Sequence, residues 1–350
     1  MHSRSLRNGT SLVPTLLTTA IVSSCVLCWL NRLNTIVLRP YLDEVFHVRQ
    51  AQTYWKHQWR EWDPKITTPP GLYLVSYLIG ALGFLIFRQP KELSASYLRF
   101  MNGVVLFSAL PILLRRLLSN IWKTPDSLEH ERVVSAEKEP GWELHLTVLN
   151  ISLFPPLFFF SGLYYTDLAA VLIVLEVYRR DLERTSMSDA LKDPHSVNHF
   201  WNTLFSRQTV LLILFGLVSL LFRQTNIFWT AIFLGGLRVV KTTHSLCVEC
   251  RSSDIATIAR SSWRLRQVYD PPVNMACFEG TVHIASYSTP ALHTQPADAR
   301  DTDYLKACLS IGIMAVANIH IMLIALLPYL VLLGAFGLFV LWNGSVVLGQ

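Results

Sequence analysis

An all-α, polytopic membrane protein is the fold this sequence predicts, and three observations predict it. Hydrophobic residues are 51% of the 350, and charged residues are only 15%, where a soluble chain carries roughly 25%. Mean hydropathy is +0.36. Apolar runs near the ~20 residues that a helix needs to cross a bilayer recur along the chain. So few charges cannot cover a soluble surface unless lipid is part of the solvent. The composition also excludes a wholly disordered chain. Six cysteines are too sparse for a disulfide-built secreted scaffold. The net charge of +6 suits Lys and Arg gathered in cytoplasmic loops. The basic residues are scattered between apolar runs, so no nucleic-acid partner is expected.

The spans follow in order. Residues 11–30 form the first, after Arg4 and Arg7, which hold the N-terminus in the cytosol and make it a signal anchor. Further spans are expected at 70–87, 97–118, 144–162, 163–178, 209–222 and 225–240. Residues 308–348 are long enough for two, with Pro328 near the middle. Those between 163 and 240 are short, as broken or re-entrant helices around a cavity are. Strict alternation from a lumenal first loop places Tyr165–Asp167 in the cytosol, whereas keeping Arg-rich loops inside gives the opposite parity. One of these spans must therefore be re-entrant, split or wrong. Together, residues 1–350 read as one transmembrane domain.

Four polar stretches separate the spans. Residues 31–69 are rich in Trp, Asp and His. Residues 119–143 and 179–207 are charged and read as solvated loops, and residues 241–306 as a poorly ordered loop. In that last loop His244, Cys247 and Cys250 form an HxxCxxC run. Zinc needs a fourth ligand at matching spacing, and Cys277 is the sole candidate, so no metal is expected. Walker, GxSxG, HExxH and dinucleotide motifs are absent from the sequence.

The densest polar chemistry lies between the first two spans. Residues 44–59 read as an amphipathic helix with Phe46, Tyr54, Trp55 and Trp59 on an interfacial face. Asp43 and Glu44 open it, and Glu44 shares a face with His47. One reading makes Asp43 an N-cap and Glu44 a partner of the helix dipole. The other makes a carboxylate at the membrane surface a general base. Trp62, Asp63, Lys65, Thr67 and Thr68 precede Pro69-Pro70-Gly71, a rigid turn into the second span. Asp167 and Arg223 lie between apolar runs, where ionisable groups are costly and either face a cavity or a partner or mark span ends at the interface. Arg99 and Asn102 give a weaker version of the same signal.

These residues resemble a known family. Tyr41-Leu42-Asp43-Glu44-Val45-Phe46-His47, Gln50-Ala51-Gln52, Trp62-Asp63-Pro64 and Ile66-Thr67-Thr68-Pro69-Pro70-Gly71-Leu72-Tyr73 look like blocks of the dolichyl-phosphate-glucose alpha-1,2-glucosyltransferases. Tyr164-Tyr165-Thr166-Asp167, Phe222-Arg223-Gln224-Thr225-Asn226, Pro328-Tyr329 and the block from Asn343 to Gly349 resemble later ones, in order. Arg49 and Pro70 vary from the pattern, and Gln350 comes before further blocks and spans of the family.

The resemblance implies a multi-pass enzyme of the endoplasmic reticulum membrane, with the multi-span fold of lipid-phosphate-sugar glycosyltransferases. Its donor would be dolichyl phosphate glucose and its acceptor the diglucosylated dolichol-pyrophosphate-linked oligosaccharide. The product would carry the terminal alpha-1,2 glucose of the N-glycan precursor, formed with inversion and without metal or cofactor. The implied catalytic candidates are Asp43 and Glu44, in a lumenal loop. The implied substrate-binding residues are His47, Gln50, Trp62, Asp63, Lys65, Thr67, Thr68, Tyr164, Tyr165, Asp167, Arg223, Gln224 and Asn226. The competing readings are a transporter or channel using Asp167 and Arg223 inside the membrane, and a truncated, inactive form of the enzyme.

Overall fold

The computed structural model describes residues 3–88, 92–123, 142–189, 206–246, 248–250, 254–265, 267–269, 301–346 and 348. Their contacts fall into two units, 1–235 with 328–350, and 236–327.

The first unit is helical. Helix α1 (Ser3–Ile36) carries an apolar span over Val13–Ile36. After the loop comes α2 (Glu44–Trp55), then α3 (Gly71–Phe87). Helix α4 (Ala95–Val104) continues through a π-helical turn, Val105–Ala109, into α5 (Leu110–Lys123). Helices α6 (Trp142–Ser152) and α7 (Pro155–Ser161) follow. Then come α8 (Asp167–Asp189) and α9 (Arg207–Leu220).

Among the described residues, three helices are long and apolar enough to cross a membrane: Val13–Ile36, Ala95–Ile121 and Ile319–Asn343. Much of their apolar surface is exposed, including Leu16, Ile21 and Leu27 on α1 and Leu338, Leu341 and Trp342 near the chain end. Unbroken rows of exposed apolar side chains at that length are what lipid covers.

The expected span 144–162 is broken. Helices α6 and α7 meet at Leu153–Phe154 and bend by 61°, because Pro155 and Pro156 lack the N–H that would continue α6. This break bears on the parity conflict. The Asp43 backbone N–H donates to the Tyr165 hydroxyl at 3.0 Å, so the two share one side of the membrane. Of the three apolar stretches between them, Ala95–Ile121 is long enough to cross by itself, Gly71–Ile86 is shorter, and the third is the bent pair. The bent stretch has the geometry to turn back.

Other boundaries also differ from expectation. Helix α8 runs eleven residues into what reads as a solvated loop, 179–207. There Arg179 is buried and bridges Glu176 at 2.6 Å and also Glu183, while Asp181 is buried and accepts from the Tyr329 hydroxyl. Charge at i, i+3 and i+4 is satisfied within the helix, so a charged run need not be a loop. In 308–348 the helix breaks at Asn318. The Asn318 side chain donates to the Met314 carbonyl at 2.8 Å and competes with the helix ladder, whereas Pro328 lies inside the helix Ile319–Asn343.

The second unit holds part of the polar segment 241–306, which reads as loop from sequence. It contains two three-residue strands, Val248–Cys250 and Gln267–Tyr269, paired in parallel around a helix, Ile255–Leu265. Asp254 caps that helix, accepting from the Thr257 N–H at 3.0 Å. Ile258 is fully buried beside Tyr269, whose hydroxyl donates to Asp303. Residues 270–300 lie outside the described residues.

One close approach in the first unit is decisive for the loop below. The Gly71 N–H donates to the Leu221 carbonyl at 2.8 Å. A Cβ on Gly71 would stand 2.5 Å from that oxygen, and both atoms are backbone. Gly71→Ala is therefore expected to destabilise the protein by about 1–3 kcal/mol, as overpacking does. Thermal unfolding in detergent would show a lowered midpoint. An unchanged midpoint would mean the two backbones are free to separate.

Candidate functional site

The site is assembled by one buried ion pair. Glu44 is fully buried, and Arg99, 1% exposed, grips it from two sides: Nε donates to Oε1 at 2.8 Å and Nη2 to Oε2 at 2.6 Å. Glu44 accepts two further bonds, from the Tyr41 N–H at 2.9 Å and the Tyr164 N–H at 2.9 Å. Arg99 also donates to the Val37 and Arg39 carbonyls and to Asn34. The pair thus ties the end of α1, the start of α2, α4 and the 164–166 segment into one body. Asn102, one helical turn along α4, secures that segment again through the Leu163 and Tyr165 carbonyls.

Asp43 is the neighbour left open. Its side chain is exposed and makes no cap hydrogen bond to α2, so the N-cap reading does not describe it. Leu42 before it has φ +53°, a left-handed conformation that a branched side chain adopts only when its surroundings impose it. The surroundings here are the Tyr41–Glu44 bond on one side and the Asp43–Tyr165 bond on the other.

His47 lies below Asp43, buried, with Nδ1 2.6 Å from the Tyr73 hydroxyl. The Tyr165 ring meets it edge-on at 5.6 Å. The charges of Asp43, Asp167, Arg223 and Glu44 all act on this imidazole, which places them around one centre. Burial holds its pKa below 6.5 despite the carboxylates, so His47 is neutral at pH 7. The unfolded chain takes up this proton near pH 6.5 and the folded one only lower. The contribution of His47 is therefore complete above pH 6.5 and is lost as pH falls below it. Between pH 6.5 and 5 the protein should lose thermal stability more steeply than His47→Gln, which cannot titrate. Parallel slopes would mean that the imidazole is protonated in the fold.

Asp167 opens α8 and Arg223 follows the end of α9. Arg223 Nη2 lies 2.9 Å from both Asp167 oxygens, and its Nε donates to Thr166 Oγ1 at 3.2 Å. Both side chains stay about one-third exposed, Arg223 at 39%, so the guanidinium is held yet open to a ligand.

The other sequence candidates divide. Gln50 spends its amide within the loop, donating to the Glu61 carbonyl at 2.8 Å and accepting from the Asp63 N–H at 3.0 Å. Gln224 donates to the Thr67 carbonyl at 2.9 Å, joining the turn after α9 to the first loop. Asn226 closes its own turn on Ser219, and Tyr164 is buried with its hydroxyl on Ser76. Thr68 points its hydroxyl inward. These five hold the frame. Trp62, Asp63, Lys65 and Thr67 face outward or half outward. Tyr73 ends a family block without being a binding candidate, and Ser76 is not singled out by sequence, because a polar atom on an apolar helix gives no signal until its partner is known.

Two clefts among the described residues share Trp62 of the first loop. One, of about 580 Å³, is walled by apolar side chains, among them Leu217, Leu221, Phe336 and Phe339, with Trp62 and Gln224 at its polar end. The other, of about 330 Å³, lies along α2 against residues 61–65. Among the described residues no group of His, Cys, Asp and Glu is placed to hold a metal. The side chains of His244, Cys247, Cys250 and Cys277 lie outside the described residues.

Helices of membrane-spanning length with exposed apolar faces define a membrane protein. The chain belongs to the DIE2/ALG10 family, whose model matches residues 37–350. It is 40% identical over 322 residues to the Dol-P-Glc:Glc(2)Man(9)GlcNAc(2)-PP-Dol alpha-1,2-glucosyltransferase of Emericella nidulans, covering 92% of this chain and 45% of that protein. It is 41% identical to the protein of the same name from Aspergillus fumigatus, with 92% and 44% covered. The mouse relative of that name is 27% identical over 335 residues, with 93% and 55% covered. The chain thus spans a little under half the length of these fungal relatives. No solved structure matches it.

Proposed function

We propose that this chain carries the catalytic half of a dolichyl-phosphate-glucose-dependent alpha-1,2-glucosyltransferase. It would act at the endoplasmic reticulum membrane on the diglucosylated lipid-linked oligosaccharide. The observation that carries this reading is the open Asp43 carboxylate next to the buried Glu44–Arg99 clasp, with its backbone N–H on Tyr165, two residues before the Asp167–Arg223 pair. The names of its relatives supply the substrates.

Asp43 takes the proton from the acceptor glucose 2-hydroxyl, and that oxygen attacks the anomeric carbon of the donor. The bond from that carbon to the phosphate oxygen breaks, and its electron pair leaves with dolichyl phosphate. Attack opposite the leaving group turns a beta-linked donor into an alpha product. Arg223 offsets charge gathering on the departing phosphate. The apolar cleft takes the isoprenoid chain, and Trp62 at its rim stacks on a sugar face. Glu44 is a poor base here, since four hydrogen bonds hold its oxygens away from solvent. We assign it to positioning.

The reading is tested in microsomes lacking this glucosyltransferase, given dolichyl phosphate glucose and the two-glucose acceptor. Two proteins are compared: the 350-residue chain, and that chain continued with the remainder of the Aspergillus relative. A three-glucose product from either supports the assignment. Absence of product from both, with the proteins present in the membrane, overturns it.

A further inference from the structure

We propose that the cleft along α2 is the subsite for the glucose residues that already end the acceptor, and that it sets which acceptor is extended. This rests on the assignment of proton transfer to Asp43.

The cleft is lined by Phe46, Arg49, Gln50 and Thr53 of α2 and by residues 61–65. The helical rise of about 1.5 Å per residue puts Phe46 about 4.5 Å, and Thr53 about 15 Å, along the axis from Asp43. A glycan whose reacting hydroxyl rests at Asp43 therefore has its preceding sugars over this cleft when it runs along α2.

The lining chemistry fits a neutral, hydroxyl-rich ligand. Arg49 and Lys65 are balanced by Glu61 and Asp63, so no net field selects a phosphate or an acid. Carboxylates and cations at one site can accept from and donate to sugar hydroxyls, while Phe46 and Trp62 offer rings to sugar faces. Lys65 Nζ already stands 5.4 Å from the centre of the Phe46 ring.

The cleft is also rigid before a ligand arrives. Gln50 clamps both sides of Trp62 through the Glu61 carbonyl and the Asp63 N–H, and Asp63 Oδ1 accepts from the Lys65 N–H at 3.0 Å. A preformed wall loses little freedom on binding. At about 330 Å³ it stands at the small end of the ~300–1,000 Å³ range of ligand pockets, so it takes the tip of a glycan and not its branches. Trp62 is the one residue that lines both clefts, which makes its indole the partition between lipid and sugar.

The experiment uses whichever form of the protein is active in the transfer assay. Lys65→Ala removes a donor, and Thr53→Trp fills the cleft. Each should raise the acceptor KM by about tenfold, the scale of losing one hydrogen bond to a charged group, with donor KM and kcat unchanged. In saturation-transfer NMR, an alpha-linked glucose disaccharide should contact the protein, and Thr53→Trp should abolish that contact. Arg49→Ala is the substitute if Thr53→Trp fails to accumulate. An unchanged acceptor KM in a protein that Asp43→Asn inactivates would overturn the cleft and keep the transferase. Competition by inorganic phosphate would overturn the neutral-ligand assignment. Disaccharide contact that Thr53→Trp abolishes, in a protein inactive in every form, would keep the cleft and overturn the transferase.

Discussion

Asp43→Asn should lower kcat for glucosyl transfer by about 10³-fold and leave the fold in place. General-base catalysis contributes roughly 10²–10⁴-fold, and the amide of Asn cannot take the proton. The fold should survive because the Asp43 side chain supports nothing in it: it makes no cap bond, and it is the backbone N–H that meets Tyr165. The substitution keeps size and backbone, so Leu42 stays at φ +53°. The comparison is kcat and donor KM beside the unfolding midpoint. A normal midpoint and donor KM with kcat down about a thousandfold fits a base. Full activity would move the base elsewhere, with Asp167 the next carboxylate in the cluster.

Glu44→Ala should do the opposite, acting first on stability. Removing one partner of a buried ion pair costs about 3–5 kcal/mol, because the other charge is left buried. Here the loss includes more than the pair. The Tyr41 and Tyr164 N–H groups lose their acceptor as well, and each unsatisfied buried donor costs about 1–3 kcal/mol. Arg99→Met should cost a similar amount by leaving Glu44 without its cation. Both variants should accumulate poorly in membranes and unfold early in detergent. Glu44→Gln keeps part of the bonding, so its folded fraction should transfer glucose with kcat near normal. Normal stability of Glu44→Gln with kcat lost would instead make Glu44 the base and reverse the roles assigned here.

These two expectations separate neighbours that the sequence presents as a pair. Asp43 and Glu44 are adjacent carboxylates at the start of one helix, and spacing alone gives either the same right to act as a base. What distinguishes them is Arg99, fifty-five residues away in another helix, which buries one and leaves the other open. Arg99 itself looks from sequence like a weaker form of the Arg223 signal. Yet Arg223 is about one-third exposed and Arg99 is buried.

The sequence by itself determined the membrane class, most apolar helices, and the two polar segments at 41–73 and 164–167 that meet in the site. Hydropathy, charge scarcity and proline punctuation are local properties, so they can be read along the chain. The conflict in parity was legible too, as a sign that one expected span is re-entrant, split or wrong. Which span bends, where 308–348 breaks, and that charged residues after Tyr178 continue a helix, only the tertiary structure decided. The division of Gln50, Tyr164, Gln224 and Asn226 from Asp43, Lys65 and Arg223 was decided there as well. A polar side chain in an apolar protein must find a partner, but whether it finds one within the fold or keeps its bonds for a ligand depends on which distant backbone is brought beside it.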